Sequence, residues 1–288
     1  MSSSDYCDPN QGSYGYIPSL AAGIAFTVIY GILTVYSLFV SVRQRKWFIS
    51  FAIGGILETV GWIGRSVAHH HVCNSHMFIM QICCLLIAPA LFSAALYILL
   101  GILIQKAPKY SALSPRTYII VFCSIDFLSL LIQAVGGGIA SSANTNAESL
   151  KGSYIVVGGV FVQLAGMTAF TILGTQFLVK SVRHGVRFDT QVLVAAIFAT
   201  VLIFIRNIYR AIELLQGWNG HINTTEGYLI GLDGVSMVLC MMLLCYLAIL
   251  DSRKPGLLER RNAKEFKAST AETGSTAGTT EKPSVETV

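Results

Sequence analysis

Charge is what this sequence has least of: Asp, Glu, Lys and Arg make up 12% of its 288 residues, against 53% hydrophobic ones. A soluble domain carries roughly twice that charged share. A water-facing globule is therefore excluded, and a mean hydropathy of +0.62 makes a bilayer the implied solvent. No GxxxxGK[ST] phosphate loop occurs, which leaves ATP hydrolysis by this chain unsupported. Lys and Arg are missing from residues 1–17, where Asp5 and Asp8 precede the first apolar run. A cleavable signal peptide lacks its charged start there, so the first helix is expected to remain as an anchor. Histidine is missing from the interior of every apolar run. His69-His70-His71 and His76 gather with Cys73 in one short loop, but consecutive histidines cannot all face one ion, and no metal or other cofactor is expected. Those histidines also lack Ser and Asp partners at a shared depth, so no enzymatic activity is expected. The net charge of +5 is spread over short loops and a tail instead of forming one basic patch with aromatic neighbours, which argues against a nucleic-acid partner.

What is present is a series of long apolar stretches. A helix needs about 20 mainly apolar residues to cross about 30 Å of hydrocarbon. Seven stretches meet that length: Ser19 to Ser41, Trp47 to Ala68, Met77 to Ile104, Tyr118 to Ile139, Tyr154 to Val179, Gln191 to Ile212 and Tyr228 to Leu250. The fold class expected is all-α, an integral membrane bundle of seven transmembrane helices. Its parts are an extracytoplasmic segment over residues 1–17, a helical domain over 18–250 and a cytoplasmic tail over 251–288. From Glu259 onward the tail is rich in Ser, Thr, Glu, Lys and Gly, too poor in apolar surface to offset the entropy of ordering.

Orientation follows from Lys and Arg, which short cytoplasmic loops retain. Arg43, Arg45 and Lys46 mark the first loop, Lys106, Lys109 and Arg116 the third, Lys180, Arg183 and Arg187 the fifth, and Arg253-Lys254 the start of the tail. The alternate segments carry none except Lys151, which places the N-terminus outside the cytosol and the C-terminus inside. Asn223-Thr224-Thr225, a glycosylation acceptor sequence, then falls outside. Of seven cysteines, Cys83, Cys84, Cys123, Cys240 and Cys245 lie in apolar runs, while Cys7 and Cys73 share the outside, where a disulfide between them would persist.

Ionisable residues inside these spans carry the functional argument, since an Asp, Lys or Arg at the centre of a spanning helix costs about 2.5–3.5 kcal/mol on insertion scales. Glu58 and Arg65 lie seven apart on the second span, and Arg206, Arg210 and Glu213 form one stripe on the sixth. Asp126 falls near the middle of the fourth span, Asp233 one or two turns below the outer end of the seventh. Gln81, Gln133 and Gln163 sit at middle to outer depths. One reading is that these groups only join helices by ion pairs and hydrogen bonds. The favoured one is a polar cavity open to the outside, because small residues such as Gly54, Gly55, Gly61 and Gly64 offer a cheaper way to pack helices.

The same residues resemble a family. Tyr16-x-Pro18, Glu58-x-x-Gly61-Trp62-x-x-Arg65, Gln81, Ala88-Pro89, Tyr97, Asp126, Gln133, Gly136-Gly137-Gly138, Gly158-Gly159, Gln163, Arg206-x-x-Tyr209-Arg210-x-x-Glu213, Glu226, Asp233 and Pro255-Gly256 are together similar to the fungal lipid-translocating exporters, or RTA-like proteins. The resemblance implies seven spanning helices and export or flipping of sphingoid long-chain bases, resistance to toxic amphiphiles such as aminosterols and, in one branch, porphyrin uptake. A translocator of lipids or amphiphilic small molecules in the plasma membrane is the expectation, with the vacuole or another endomembrane as alternative location. The rival is a seven-helix sensor or receptor of amphiphilic ligands without transport. A G-protein-coupled receptor is disfavoured, because the third span ends Leu103-Ile104-Gln105-Lys106 without an acid-Arg-Tyr triad and the seventh lacks Asn-Pro-x-x-Tyr.

Overall fold

A computed structural model describes residues 18–43, 49–70, 75–143, 145–216 and 225–253. The Cys7–Cys73 pairing, the Asn223 acceptor and the tail beyond Arg253 lie outside the described residues. Seven long helices run through them: α1 Leu20–Arg43, α2 Ile49–Ala68, α3 Ser75–Lys106, α4 Pro115–Ser142, α5 Asn146–Arg183, α6 Thr190–Leu215 and α7 over residues 226–253. α7 is built of Glu226–Tyr228, a π-helical stretch Leu229–Val235, and Ser236–Arg253. No strand occurs among the described residues.

Six of the seven are long and apolar enough to cross a membrane. α2, with 20 residues and both Glu58 and Arg65 buried in it, is not among the six. The chain is a multi-pass integral membrane protein. Its outward surface agrees, because Ile32, Val35, Ile120, Phe127, Val135 and Phe198 are all exposed, an arrangement stable in lipid and not in water.

Apart from α2, the helices are longer than the apolar runs suggest, since hydrophobicity stops at a charged residue while the backbone hydrogen-bonding pattern does not. α5 starts eight residues before Tyr154, where the Thr145 side chain accepts a hydrogen bond from the Glu148 backbone N–H and caps the helix. Asp189 caps α6 through the Gln191 N–H, and Ser114 caps α4 through the Thr117 N–H with Pro115 opening the first turn. α5 ends at Gly185, whose φ of 80° is the left-handed conformation that closes many helices.

Each helix packs on the next in sequence, and α7 returns against α1, which closes the set. α3 and α7 are the most buried of the six apolar helices, and α3 also reaches α6 across the bundle. α4 and α5 are pressed closest. A Cβ placed on Gly152 would stand 2.5 Å from the Ala140 nitrogen, and one on Gly136 would stand 2.7 Å from the Val156 nitrogen, so backbone meets backbone there. Gly158, on the same α5, faces open space.

Replacing Gly152 with Val forces these two helices apart, and a cost of about 1–3 kcal/mol is expected for such overpacking. The check is thermal unfolding in detergent, where Gly152→Val melts clearly below the parent protein and Gly158→Val melts with it.

Candidate functional site: a buried charge network between α2, α6 and α7

Two helices run in opposite directions with acids and a base at the same interval. On α2, Glu58 and Arg65 are seven residues apart, and on α7, Glu226 and Asp233 are seven apart. Seven residues span about 10 Å, so an antiparallel pair matches Arg65 with Glu226 in one layer and sets Glu58 in the layer of Asp233 below it.

In the upper layer one guanidinium faces one carboxylate. Arg65 Nη2 meets Glu226 Oε1 at 2.7 Å, and the same oxygen accepts the Ser19 backbone N–H at the start of α1, at 2.8 Å. Glu226 is the partly exposed member, at 21% of its side chain, while Arg65 is buried and stands over the Trp62 ring at 5.9 Å. Trp62 in turn stacks on Phe26 of α1, with ring centroids 4.3 Å apart.

The lower layer brings two acids together, and α6 supplies the cations. Arg206 Nε donates to Asp233 Oδ1 at 2.8 Å, and Arg210 Nη2 donates to Asp233 Oδ2. Arg210 Nη1 also meets Glu213 Oε2 at 2.9 Å, and the Tyr209 hydroxyl donates to Glu213 Oε1 at 3.1 Å. Each of these side chains is buried. A guanidinium suits such a place, because its planar set of donors serves several oxygens at once.

Arg206 has a further acceptor that no side chain provides. Its Nη2 donates to the Leu85 carbonyl on α3. Pro89 lies inside α3 four residues on, and a proline has no N–H to give to the carbonyl one turn back. The oxygen freed by Pro89 is thus the one Arg206 takes, which links α3 to α6 at the level of Asp233.

The α7 backbone is irregular at this level. Asp233 and Gly234 belong to the π-helical stretch, a widened turn frequent at functional sites. The Tyr30 hydroxyl of α1 donates to the Gly234 carbonyl at 2.9 Å. A Cβ on Gly234 would reach within 2.8 Å of the Trp62 ring, so only glycine lets α7 pass this close to α2.

Glu58 stands apart from these pairs. It is 2% exposed, and its Oε1 has no hydrogen-bond partner among the described residues. The Trp62 indole N–H one turn above also donates to none of them. Glu58 and Arg65 share a face of α2 but do not pair, because each is matched by α7 instead.

Of the residues singled out in the sequence, Glu58, Arg65, Arg206, Arg210, Glu213 and Asp233 come together here. Gln81 is buried on α3 beside Gly64 of α2, close to the upper layer. Asp126, Gln133 and Gln163 do not join them. Asp126 Oδ2 accepts the Tyr97 hydroxyl at 2.9 Å, between α3 and α4, with Phe122 and Phe170 packed around the Tyr97 ring. Gln133 Nε2 donates to Gln163 Oε1 at 3.2 Å across the α4–α5 contact. The polar set thus divides into a charged network on one side of the bundle and uncharged or singly charged contacts on the other.

Two cavities are described, and neither touches the network. One of about 110 Å³ lies among Leu96, Leu100, Phe170, Leu178, Ala196 and other residues of α3, α5 and α6. A shallower groove between α1 and α2 is lined by Ile24, Val28, Ile63, Ser66, Val67 and His70. Sequence reasoning left Tyr30 and the Leu85 carbonyl out of the site, and had Tyr97 only as part of the family pattern. Pro89 was the one signal for the carbonyl, since it marks which oxygen is unpaired. Tyr30 is buried in an apolar helix, where nothing in the sequence pattern separates it from the core.

A bundle of lipid-facing helices that encloses a multi-residue ion network defines a polytopic membrane protein with ionisable groups held between its spans. The chain belongs to the RTA1-like protein family, whose model matches residues 51–251. It is 32% identical over 272 residues to the sphingoid long-chain base transporter RSB1 of Saccharomyces cerevisiae, covering 80% of this chain and 71% of that one. It is similar to the yeast protein RTA1, at 31% identity over 80% of this chain and 82% of that one. It is also similar to the yeast protoporphyrin uptake protein 1, at 28% identity over 80% and 89% of the two chains. No solved structure matches it.

Removing one partner of a buried ion pair costs about 3–5 kcal/mol, because the other charge is left uncompensated. Asp233→Asn strands two guanidinium groups at once, so its unfolding temperature in detergent is expected to fall sharply. Adding Arg206→Gln to Asp233→Asn is expected to recover part of the loss, a coupling that a double-mutant cycle reads directly.

Proposed function

We propose that this protein moves lipids or amphiphilic compounds across a membrane, with long-chain bases or sterol-like amphiphiles as substrates and cellular resistance to them as the outcome. The observation that carries the reading is the similarity to a protein named as a sphingoid long-chain base transporter, which extends over most of both chains. The charge network supports it, because a headgroup passing between helices needs polar partners while the alkyl chain stays in lipid. Guanidinium groups suit phosphate and carboxylates suit an amine.

In this reading the protein is a carrier without enzymatic activity. Residues 18–250 form a seven-span unit, residues 1–17 lie outside the cytosol and residues 251–288 within it, at the plasma membrane in preference to the vacuole. The layer of Arg65 and Glu226 then faces the outside, with Asp233 and its partners beneath it. Asp126, held by Tyr97 on another side of the bundle, is a second buried acid on the proposed route.

The test is efflux of a fluorescent long-chain base from cells bearing equal surface amounts of each variant. Arg206→Lys, which replaces the two nitrogens that reach Asp233 and the Leu85 carbonyl with a single one, is expected to reduce efflux at least about tenfold. Asp126→Asn is expected to reduce it less. Efflux at the parental rate in both would remove these residues from the route. Altered lipid sidedness in reconstituted vesicles separates transport from a sensor, for which ligand binding leaves lipid distribution unchanged.

A further inference from the structure

The lower layer contains three acids, Glu58, Glu213 and Asp233, and two guanidinium groups, Arg206 and Arg210. Both cations are already committed. Arg210 spans Asp233 and Glu213, and Arg206 divides its donors between Asp233 and the Leu85 carbonyl. Among the described residues of this layer the acids outnumber the guanidinium groups by one, and a buried charge in excess is costly in a medium that cannot solvate it.

The groups that face Glu58 do not supply one. α1 presents the Tyr30 hydroxyl, which is bound to the Gly234 carbonyl, and α3 presents Cys84. α6 presents Arg206 and Arg210, and α7 presents Asp233 and Cys240. On α2 itself the Trp62 indole stands beside Glu58 without meeting its Oε1 in a hydrogen bond. Glu58 Oε1 is the carboxylate oxygen of this layer that accepts no hydrogen bond from the described residues.

We infer that Glu58 is the docking point for a single positive charge, occupied in turn by a proton and by the primary ammonium headgroup of an amphiphile. Exchange of the two keeps the network neutral, so each ammonium that binds releases one proton. This rests on the transport reading and specifies its headgroup chemistry. The partly exposed Glu226 offers a first contact, and Glu58 lies about 10 Å deeper on the neighbouring helix. The conjugate headgroups it excludes are neutral amides and phosphates, which bring no positive charge alone.

Binding tests this without requiring transport. Dodecylammonium and N-dodecylacetamide, matched in chain, are titrated into the purified full-length protein in a nonionic detergent, with proton uptake or release read by calorimetry in buffers of different ionisation enthalpy. The parent protein is expected to prefer the ammonium by at least about tenfold, or 1.4 kcal/mol, and to release a proton on binding it. Lowering the pH is expected to weaken the ammonium and leave the amide unmoved. Glu58→Gln is expected to lose both the preference and the proton release while melting no lower than the parent, and Glu58→Asp to retain both.

Equal affinity for the two probes in the parent protein, or binding without proton release, overturns the inference. So does a folded Glu58→Gln that keeps the preference. If the variant does not fold, the pH dependence on the unmodified protein still decides the matter. Glu58-dependent binding by a protein that moves no lipid in vesicles would keep this site and end the transport reading alone.

Discussion

Asp233 is the residue on which the arrangement of helices depends. Its two carboxylate oxygens each hold a different guanidinium of α6, so one side chain of α7 fixes two turns of its neighbour at once. That is a demanding geometry for a regular helix to meet. Within the π-helical stretch of α7, next to Asp233, the Gly234 carbonyl accepts the Tyr30 hydroxyl of α1. Arg206 then extends the tie to α3 through the carbonyl that Pro89 leaves vacant. Four helices meet around one carboxylate, and two of the four connections end on backbone oxygens, one of them the oxygen that Pro89 leaves without its N–H. Irregular backbone within a bilayer is tolerated only where protein satisfies it, and here the irregular points of α3 and α7 are the ones held.

The helices were largely legible in the sequence, because a bilayer reduces the problem to finding long apolar stretches. Their ends were not. Glu148 and Lys151 interrupt the apolar pattern ahead of Tyr154, yet the helix begins before both, capped by a threonine. In the site, the stripe of Arg206, Arg210 and Glu213 follows from helical spacing alone, and so does the common face of Glu58 and Arg65. Who partners whom does not follow. Glu58 and Arg65 invite pairing with one another until the equal interval between Glu226 and Asp233 on an antiparallel neighbour is seen in space. Tyr30 reads as a core aromatic, since a hydroxyl contributes little to a hydropathy pattern. A carbonyl has no letter in the sequence at all, and only the proline one turn later marks it.

The two halves of the bundle are joined by different physics. Around α2, α6 and α7, charges link the helices, and Trp62, Phe26 and Tyr209 surround the ions. Between α4 and α5 the glycines bring backbones together, and the polar contact is a single bond between Gln133 and Gln163. The first kind of contact responds to whatever enters and changes the local charge. The second depends on shape and is indifferent to it. A charge-dependent rearrangement of α6 and α7 against a fixed α4–α5 pair is compatible with both.

The length of α5 carries a last consequence. Its 38 residues extend about 57 Å, nearly twice the average hydrocarbon thickness. The stretch between Lys151 and Lys180 alone is longer than a thin bilayer can cover upright, so α5 leans as the membrane thins and straightens as it thickens. Because α4 is clamped to it at Gly136 and Gly152, the two must lean together. The thickness of the surrounding lipid, as much as any ligand, therefore sets the slope at which this pair meets the other helices.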